Sequence, residues 1–450
     1  MNSNFTEGSI VPKLVRFVFP ILFAMLIQSL YGAVDLLIVG RFSDAANVSA
    51  VAVGSQIMHS LTFVITDLAA GTAILLGQFI GQKILKSCGE TVGATVFFFG
   101  ILGAVISLVM QPLAAPVTAL MNAPEEAFSQ TVAYTRICCG GTLFIVAYNI
   151  LGSIFRGIGD AKMPLITVLI AAVFNVFGDL YFVAHLHMGA AGAAIATVMA
   201  QALSVVLSVL IIKKRGMPFS FRWRDVGFHR PVIGSILRLG IPLAVQNLLV
   251  SISFLIILAL VNKLGVIASA GIGVAEKLCG FIMLLPAAFS QAMSSFTAQN
   301  YGAGRMKRSE KALRYGIGIS FACSLVVGSA AFFFGDQISR IFSTDLEVCH
   351  ASGEYLKAYG IDCLLTSFLF CFIGFFNGFS QTGFVMVQGI AGAFGVRVPL
   401  SILFSRMQPV SIFRIGLATP CSTLLQILLC FLYFFRCRKR YRNGPLWDSN

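Results

Sequence analysis

The chain has 450 residues, 57% of them hydrophobic and only 11% charged, with a mean hydropathy of +0.88. Soluble globular domains carry about 25% charged residues, so these proportions exclude one and indicate a polytopic helical membrane protein. The net charge of +14 is not a nucleic-acid footprint, because the Lys and Arg gather in alternate loops, as membrane orientation requires.

A short polar lead, 1–14, opens the chain. Twelve apolar spans follow, over 15–38, 50–79, 91–113, 129–152, 163–184, 190–212, 233–261, 267–297, 312–334, 353–375, 380–404 and 411–435, each long enough for a hydrocarbon core of ~30 Å. No cleavable signal is expected, since the first apolar run is too long and lacks a small-residue cleavage site. Pro20, Pro112, Pro242, Pro286 and Pro399 fall in or at the ends of spans and mark bends, because neighbouring helices can satisfy the freed carbonyls. The eleven Cys are scattered, mostly inside spans (Cys88, Cys323, Cys371 and Cys430 among them), and read as small buried apolar residues.

The first span carries a carboxylate, Asp35, within QSLYGAVDLLIVG (28–40). An Asp at mid-membrane costs about 2.5–3.5 kcal/mol on insertion scales, so it must face protein, water or an ion. Tyr31 lies one turn earlier on the same face. Asp67 sits midway along the second span. In the fifth, Asn175 and Asp179 stand one turn apart at similar depth to Asp35, and Thr197 adds a hydroxyl in the sixth. Two carboxylates close together in low dielectric cannot both ionise cheaply, so such a pair can carry a proton. The same oxygens, with Asn175, also suit Na⁺, and Asp35, Asn175 and Asp179 would then be its ligands. No cofactor is implied; the coupling ion is H⁺ or Na⁺.

Loop charges place both termini in the cytoplasm. Inner segments hold Lys83, Lys86, Arg156, Lys162, the run Lys213–Arg215, and Arg305, Lys307, Arg308, Lys311 and Arg314, with a basic tail from Arg436 to Arg442. Outer loops hold little beyond Arg41, Lys263, Arg340 and Arg406. The one long polar connection, 213–232, separates two halves that repeat at an offset of about 221. Arg16-Phe-Val-Phe-Pro20 matches Arg238-Leu-Gly-Ile-Pro242, and Gln78-Phe-Ile-Gly81 matches Gln299-Asn-Tyr-Gly302. Six spans per half give both halves one orientation, so the expected fold is all-α. It has two six-helix lobes related by a pseudo-two-fold axis along the membrane normal: an N-lobe over 1–214, a cytoplasmic linker over 215–232 and a C-lobe over 233–450. The acids break the repeat. Asp35, Asn175 and Asp179 have Ile257, Val396 and Leu400 as mates, which indicates a coupling site confined to the N-lobe. In the C-lobe, Glu276, Asp362 and Arg397 are candidates for a cavity or second site, with Asp67 beside them as a further candidate.

No GxxxxGK[ST], HExxH, DDxxD-type cluster or GxSxG turn is present, so neither a nucleotide-driven pump nor an embedded enzyme is expected.

These residues resemble the multidrug and toxic compound extrusion (MATE) family, in its bacterial DinF/MepA-like branch. The resemblance covers essentially the whole chain. Its carriers are Val34-Asp35 with Val39-Gly40, Arg156-Gly-Ile-Gly-Asp-Ala-Lys162 with Pro164, Asn175 and Asp179, Gly192-Ala-Ala-Ile-Ala-Thr197, and Ala298-Gln-Asn-Tyr-Gly-Ala-Gly304. It implies two lobes around a V-shaped cavity and antiport of cationic, amphipathic organic compounds against H⁺ or Na⁺. It also implies an N-lobe coupling site at Tyr31, Asp35, Asn175, Asp179 and Thr197. Asp67 departs from the pattern, which has a small or neutral residue there. A lipid-linked sugar flippase is the alternative, disfavoured by the span count and the scarcity of intramembrane cations. The expected partners are small organic substrates and the lipid bilayer of a plasma (bacterial inner) membrane, with no nucleic acid and no obligate protein partner.

Overall fold

A computed structural model describes residues 4–442, and every regular element in them is helical. The ends of the chain, for which a cytoplasmic location is expected, and the side chains of Arg440 and Arg442 lie outside the described residues. The helices are α1 (Ile10–Phe42), α2 (Ala45–Gln82), α3 (Leu85–Leu120), α4 (Glu125–Gly140), α5 (Thr142–Ile158), α6 (Lys162–Asp179), α7 (Gly189–Arg215), α8 (Arg230–Asn262), α9 (Val266–Gly302), α10 (Met306–Ser339), α11 (Leu346–Gly378), α12 (Thr382–Gly392), α13 (Val398–Arg406) and α14 (Ile412–Arg442). A π turn, Leu180–His185, continues α6, and a second, Ala393–Arg397, joins α12 to α13.

Among the described residues, 11 helical segments are long and apolar enough to cross a bilayer; with the bent pair α4–α5 taken as one more span the count is 12. That pair corrects the reading of 129–152 as a single continuous helix, since it bends by 54°. The cause lies at Gly140-Gly141. A Cβ on Gly141 would stand 2.4 Å from a methyl of Val198, so α7 occupies the space a side chain would need, and the helix restarts at Thr142.

Helices overrun their apolar windows where polar ends supply caps. Asp44 starts α2 by accepting the Asn47 N–H at 2.9 Å, and that bond holds its carboxyl below the usual carboxylate range. Asn47 in turn accepts the Ala190 N–H at 2.7 Å, fixing the start of α7 to the start of α2. At the other end, Lys83 takes a left-handed φ of 60°, and two residues, Lys83 and Ile84, suffice to turn the chain into α3.

The chain forms two compact units. One is Phe19–Gly240; the other joins Asn4–Val18 to the chain from Ile241 onward. The linker residues and the start of α8 therefore fold with the first unit, and the amino-terminal segment with the second. Within the first unit one core gathers Val39, Val51, Met58, Tyr134 and Ala193. Another gathers Leu76, Phe99, Ile154, Phe219 and Ile236. Phe219 belongs to the linker, which lies directly on α3: a Cβ on Gly93 would fall 1.9 Å from the Asp225 carbonyl oxygen.

The second unit has its core around Ile257, Ile272, Cys279, Tyr355 and Ile415. The polar lead of the sequence is not a loose end here. Phe5 is fully buried, its ring centroid 4.9 Å from that of Phe17 and 5.2 Å from that of Phe296. Its N–H donates to Gln299 Oε1 at 3.2 Å, and its carbonyl accepts from Asn300 Nδ2 at 3.2 Å and Arg308 Nε at 2.8 Å. Phe5→Ala is expected to cost about 3–5 kcal/mol, the usual range for a buried Phe, read as a lower melting temperature in detergent.

Candidate functional site

Close helix approach builds the site. α7 opens with a run of small residues, and a Cβ on Gly178 of α6 would lie 2.9 Å from Ala196 Cβ. That contact brings Asn175 and Asp179, on the last two turns of α6, against Thr197. Asp179 is the final residue of α6 before the π turn, the kind of wide turn that recurs at functional sites. Asp35 reaches the same point from α1.

The three acceptor-bearing residues are deeply buried: Asp35 is 5% exposed, Asn175 1% and Asp179 0%. Asn175 Nδ2 donates to Thr197 Oγ1 at 3.5 Å, and the Thr197 hydroxyl donates to Asp35 Oδ2 at 3.4 Å. Asp35 and Asp179 interact directly, side chain to side chain. The donors then run out. Asp35 Oδ1, Asn175 Oδ1 and both carboxyl oxygens of Asp179 are buried without a hydrogen-bond partner among the described residues. An orphaned buried acceptor costs about 1–3 kcal/mol, more if charged. A cluster of them therefore calls for a species that brings positive charge: a proton shared by the carboxyls, or a small hard cation bound by oxygen.

Beside this cluster lies a cavity of ≈ 20 Å³ lined by Tyr31, Tyr148, Asn175, Thr197, Gln201 and Ser204, among others. It has room for about one water-sized guest. The Tyr31 hydroxyl pairs with Gln201. Gln201 Oε1 and Ser204 Oγ lack partners among the described residues. Sequence reasoning missed Tyr148, Gln201 and Ser204. Gln201 was the most accessible of them, one turn beyond Thr197 on the same face of α7.

The other sequence candidates fall elsewhere. Asp67 is half-buried on α2, next to Thr66, whose hydroxyl donates to Asn149 Oδ1 at 2.9 Å. Glu276 is exposed on α9, as is its neighbour Lys277, whose ammonium stands 5.9 Å from the Phe342 ring centroid. Asp362 and Arg397, in contrast, are buried together in the second unit. Asp362 accepts the Thr423 hydroxyl at 2.6 Å. Arg397, at the end of its π turn, donates through Nη1 to Ser253 Oγ at 3.0 Å, and its guanidinium lies 4.3 Å from the Phe254 ring centroid. The two charges act on each other, with Tyr355 and Tyr359 beside the guanidinium.

A buried charge that loses its counter-charge typically costs about 3–5 kcal/mol. Arg397→Met should therefore lower the melting temperature markedly. Asp362→Asn in the same chain should restore much of the loss, and a double-mutant cycle measures that coupling.

The family model MatE matches this chain twice, over residues 20–181 and 242–403. The two segments are offset by the same interval as the internal repeat and begin at its paired prolines, Pro20 and Pro242. The probable multidrug resistance protein YoeA of Bacillus subtilis (strain 168) is 26% identical over 445 residues, covering 95% of this chain and 94% of that protein. The probable multidrug resistance protein YpnP of the same strain is 27% identical, covering 96% of each. The multidrug export protein MepA of Staphylococcus aureus (strain NCTC 8325 / PS 47) is 22% identical, covering 95% of each. Among solved structures, an outward-facing multidrug resistance MATE family transporter of the MOP superfamily superposes with a TM-score of 0.91, at 21% identity and 98% coverage of both chains. Two family-model matches spanning most of the chain, over helices that carry the repeat, identify it: this multi-pass membrane protein belongs to the MatE family of transporters.

Proposed function

We propose that the protein is a cation-coupled antiporter that exports small organic, mostly cationic and amphipathic compounds by alternating access, taking up H⁺ or Na⁺ in exchange. The observation that carries this reading is the set of donor-less buried oxygens shared by Asp35, Asn175 and Asp179. In this scheme Asp35 and Asp179 hold the coupling ion, Asn175 and Thr197 fix the carboxyls in place, and Tyr31 with Gln201 borders the small cavity next to them. Ion entry from outside neutralises the acid pair. That weakens the attraction of the N-lobe for a cationic substrate and changes how α1 packs on α6 and α7. Release of the ion on the cytoplasmic side restores the charge. The exchange is a trade of cations at one electrostatic address, so a substrate and an ion compete through charge even without sharing atoms. The relatives, named as multidrug resistance and multidrug export proteins, support the substrate class. The alternating basic loops support both termini in the cytoplasm of a bacterial inner membrane.

The test is ethidium transport into inside-out vesicles with pH and Na⁺ gradients imposed separately. One gradient is expected to drive accumulation and its collapse to abolish it. Flux indifferent to both gradients would rule out the coupling.

A further inference from the structure

The amino-terminal segment and the start of α10 enclose a groove that the transport reading does not use. It has a volume of ≈ 810 Å³ and is lined by residues 6–12 on one side and by Arg305, Lys307, Arg308, Lys311 and Tyr315 on the other. Four of its side chains are basic and one, Glu7, is acidic. Much of the positive charge is spent on neutral groups. Arg305 donates to the Thr6 carbonyl, and Arg308 donates to the carbonyls of Phe5 and Glu7, the latter at 2.7 Å. Lys13 donates to the carbonyls of Asn4 and Glu7. These bonds fix the strap but neutralise nothing. Lys307 and Lys311 are exposed, and among the described residues no carboxylate lies within ion-pair distance of either.

The face of α10 that carries these lysines does not stop at the groove. Residues 307, 311, 315, 318, 322, 325 and 326 fall on one helical stripe, and all of them are exposed. Beyond Tyr315 the stripe is wholly apolar: Gly318, Ala322, Leu325 and Val326. From Tyr315 to Val326 it runs about 16 Å at 1.5 Å per residue, close to one leaflet of a ~30 Å hydrocarbon core. At Gly318 the stripe is dented, since a Cβ there would meet nothing within 4 Å. Paired unneutralised lysines above an apolar track of leaflet length define an amphiphile of negative head and hydrocarbon tail.

We propose that this groove binds an anionic phospholipid, its phosphate held by Lys307 and Lys311 against the amino-terminal strap and an acyl chain laid along α10 from Tyr315 to Val326. The strap forms the wall of the groove opposite these lysines. A soluble phosphate would use the same lysines and none of the track.

The experiment uses the full-length protein, purified in detergent and exposed to phosphatidylglycerol or to phosphatidylcholine with the same chains, with bound lipid counted by native mass spectrometry. Phosphatidylglycerol should be retained about thirtyfold over phosphatidylcholine, the preference two near-surface lysines can supply. Lys307→Gln/Lys311→Gln should erase the preference at an unchanged melting temperature, because both side chains are exposed. Gly318→Leu should lower retention of both lipids by filling the dent. Inorganic phosphate and glycerol 3-phosphate, at millimolar concentration, should fail to displace the lipid. Equal retention of the two lipids, a preference that survives the double lysine variant, or displacement by either soluble phosphate would each overturn the proposal.

Discussion

Asp35→Asn should abolish drug efflux and leave a folded, membrane-inserted protein. The amide keeps the size of the carboxyl. Its oxygen can still accept the Thr197 hydroxyl that now bonds Asp35 Oδ2, and its new N–H₂ can donate to an oxygen of Asp179 that has no donor. The variant therefore supplies permanently what the proposed ion supplies in turns. It also removes one of two like charges buried side by side, so its melting temperature should match or exceed that of the parent chain. What it cannot do is alternate between charged and neutral, and without that alternation no gradient can be coupled. Ethidium export by cells, set against protein quantity in the membrane and the melting temperature in detergent, separates the two effects. Wild-type efflux by a well-expressed Asp35→Asn protein would remove Asp35 from the mechanism.

Gly374→Val is the substitution expected to damage the fold most. On α11, Gly374 and Gly378 stand one turn apart and face Ser290 and Ser294, one turn apart on α9. A Cβ would lie 2.2 Å from the Ser290 carbonyl oxygen at the first position and 2.4 Å from that of Ser294 at the second. Backbone oxygen cannot swing aside as the end of a side chain can, so the two helices must separate. In a membrane no hydrophobic effect pulls them back together, because lipid wets an apolar helix as well as protein does. Overpacking costs typically 1–3 kcal/mol, and this contact should cost about 3 kcal/mol or more. The expected result is a loss of monodisperse protein on size exclusion and a lower melting temperature. Gly280→Val, on the same α9 where a Cβ would meet nothing within 4 Å, is the control and should behave as the parent chain does. Equal stability of the two variants would show that the α9–α11 contact can relax.

The candidate site was legible in the sequence because lipid makes polar residues expensive. Asp35, Asn175 and Asp179 stand out against apolar surroundings, and their depth along separate spans can be counted. That they share one buried polar site was expected from their similar depth on separate spans, and Thr197 joined them as a nearby hydroxyl that the family resemblance also carries. What stayed hidden depends on contacts that hydropathy does not carry. The bend at Gly141 is set by Val198, on a different helix, and a hydropathy window over 129–152 averages the two sides into one span without registering it. Glu276 and Asp362 look equivalent as acids within apolar runs. Yet the first is exposed and the second is buried with Thr423 and Arg397, a difference decided by which face of each helix meets its neighbours. Arg397 finds Ser253, 144 residues away, and no local pattern announces that pair. Phe5 sits in a lead whose polarity says loop, although a lone aromatic among Asn, Thr and Ser was a signal that something would bury it.

The seat of Phe5 has a consequence for biosynthesis. Its partners Gln299 and Arg308 follow it by 294 and 303 residues. At ribosomal speeds of ≈ 5–20 residues per second, Phe5 waits roughly 15–60 s for its binding place to be translated. Phe5 is thus among the last residues to settle, and a carboxy-terminal half produced on its own would lack the piece that closes it.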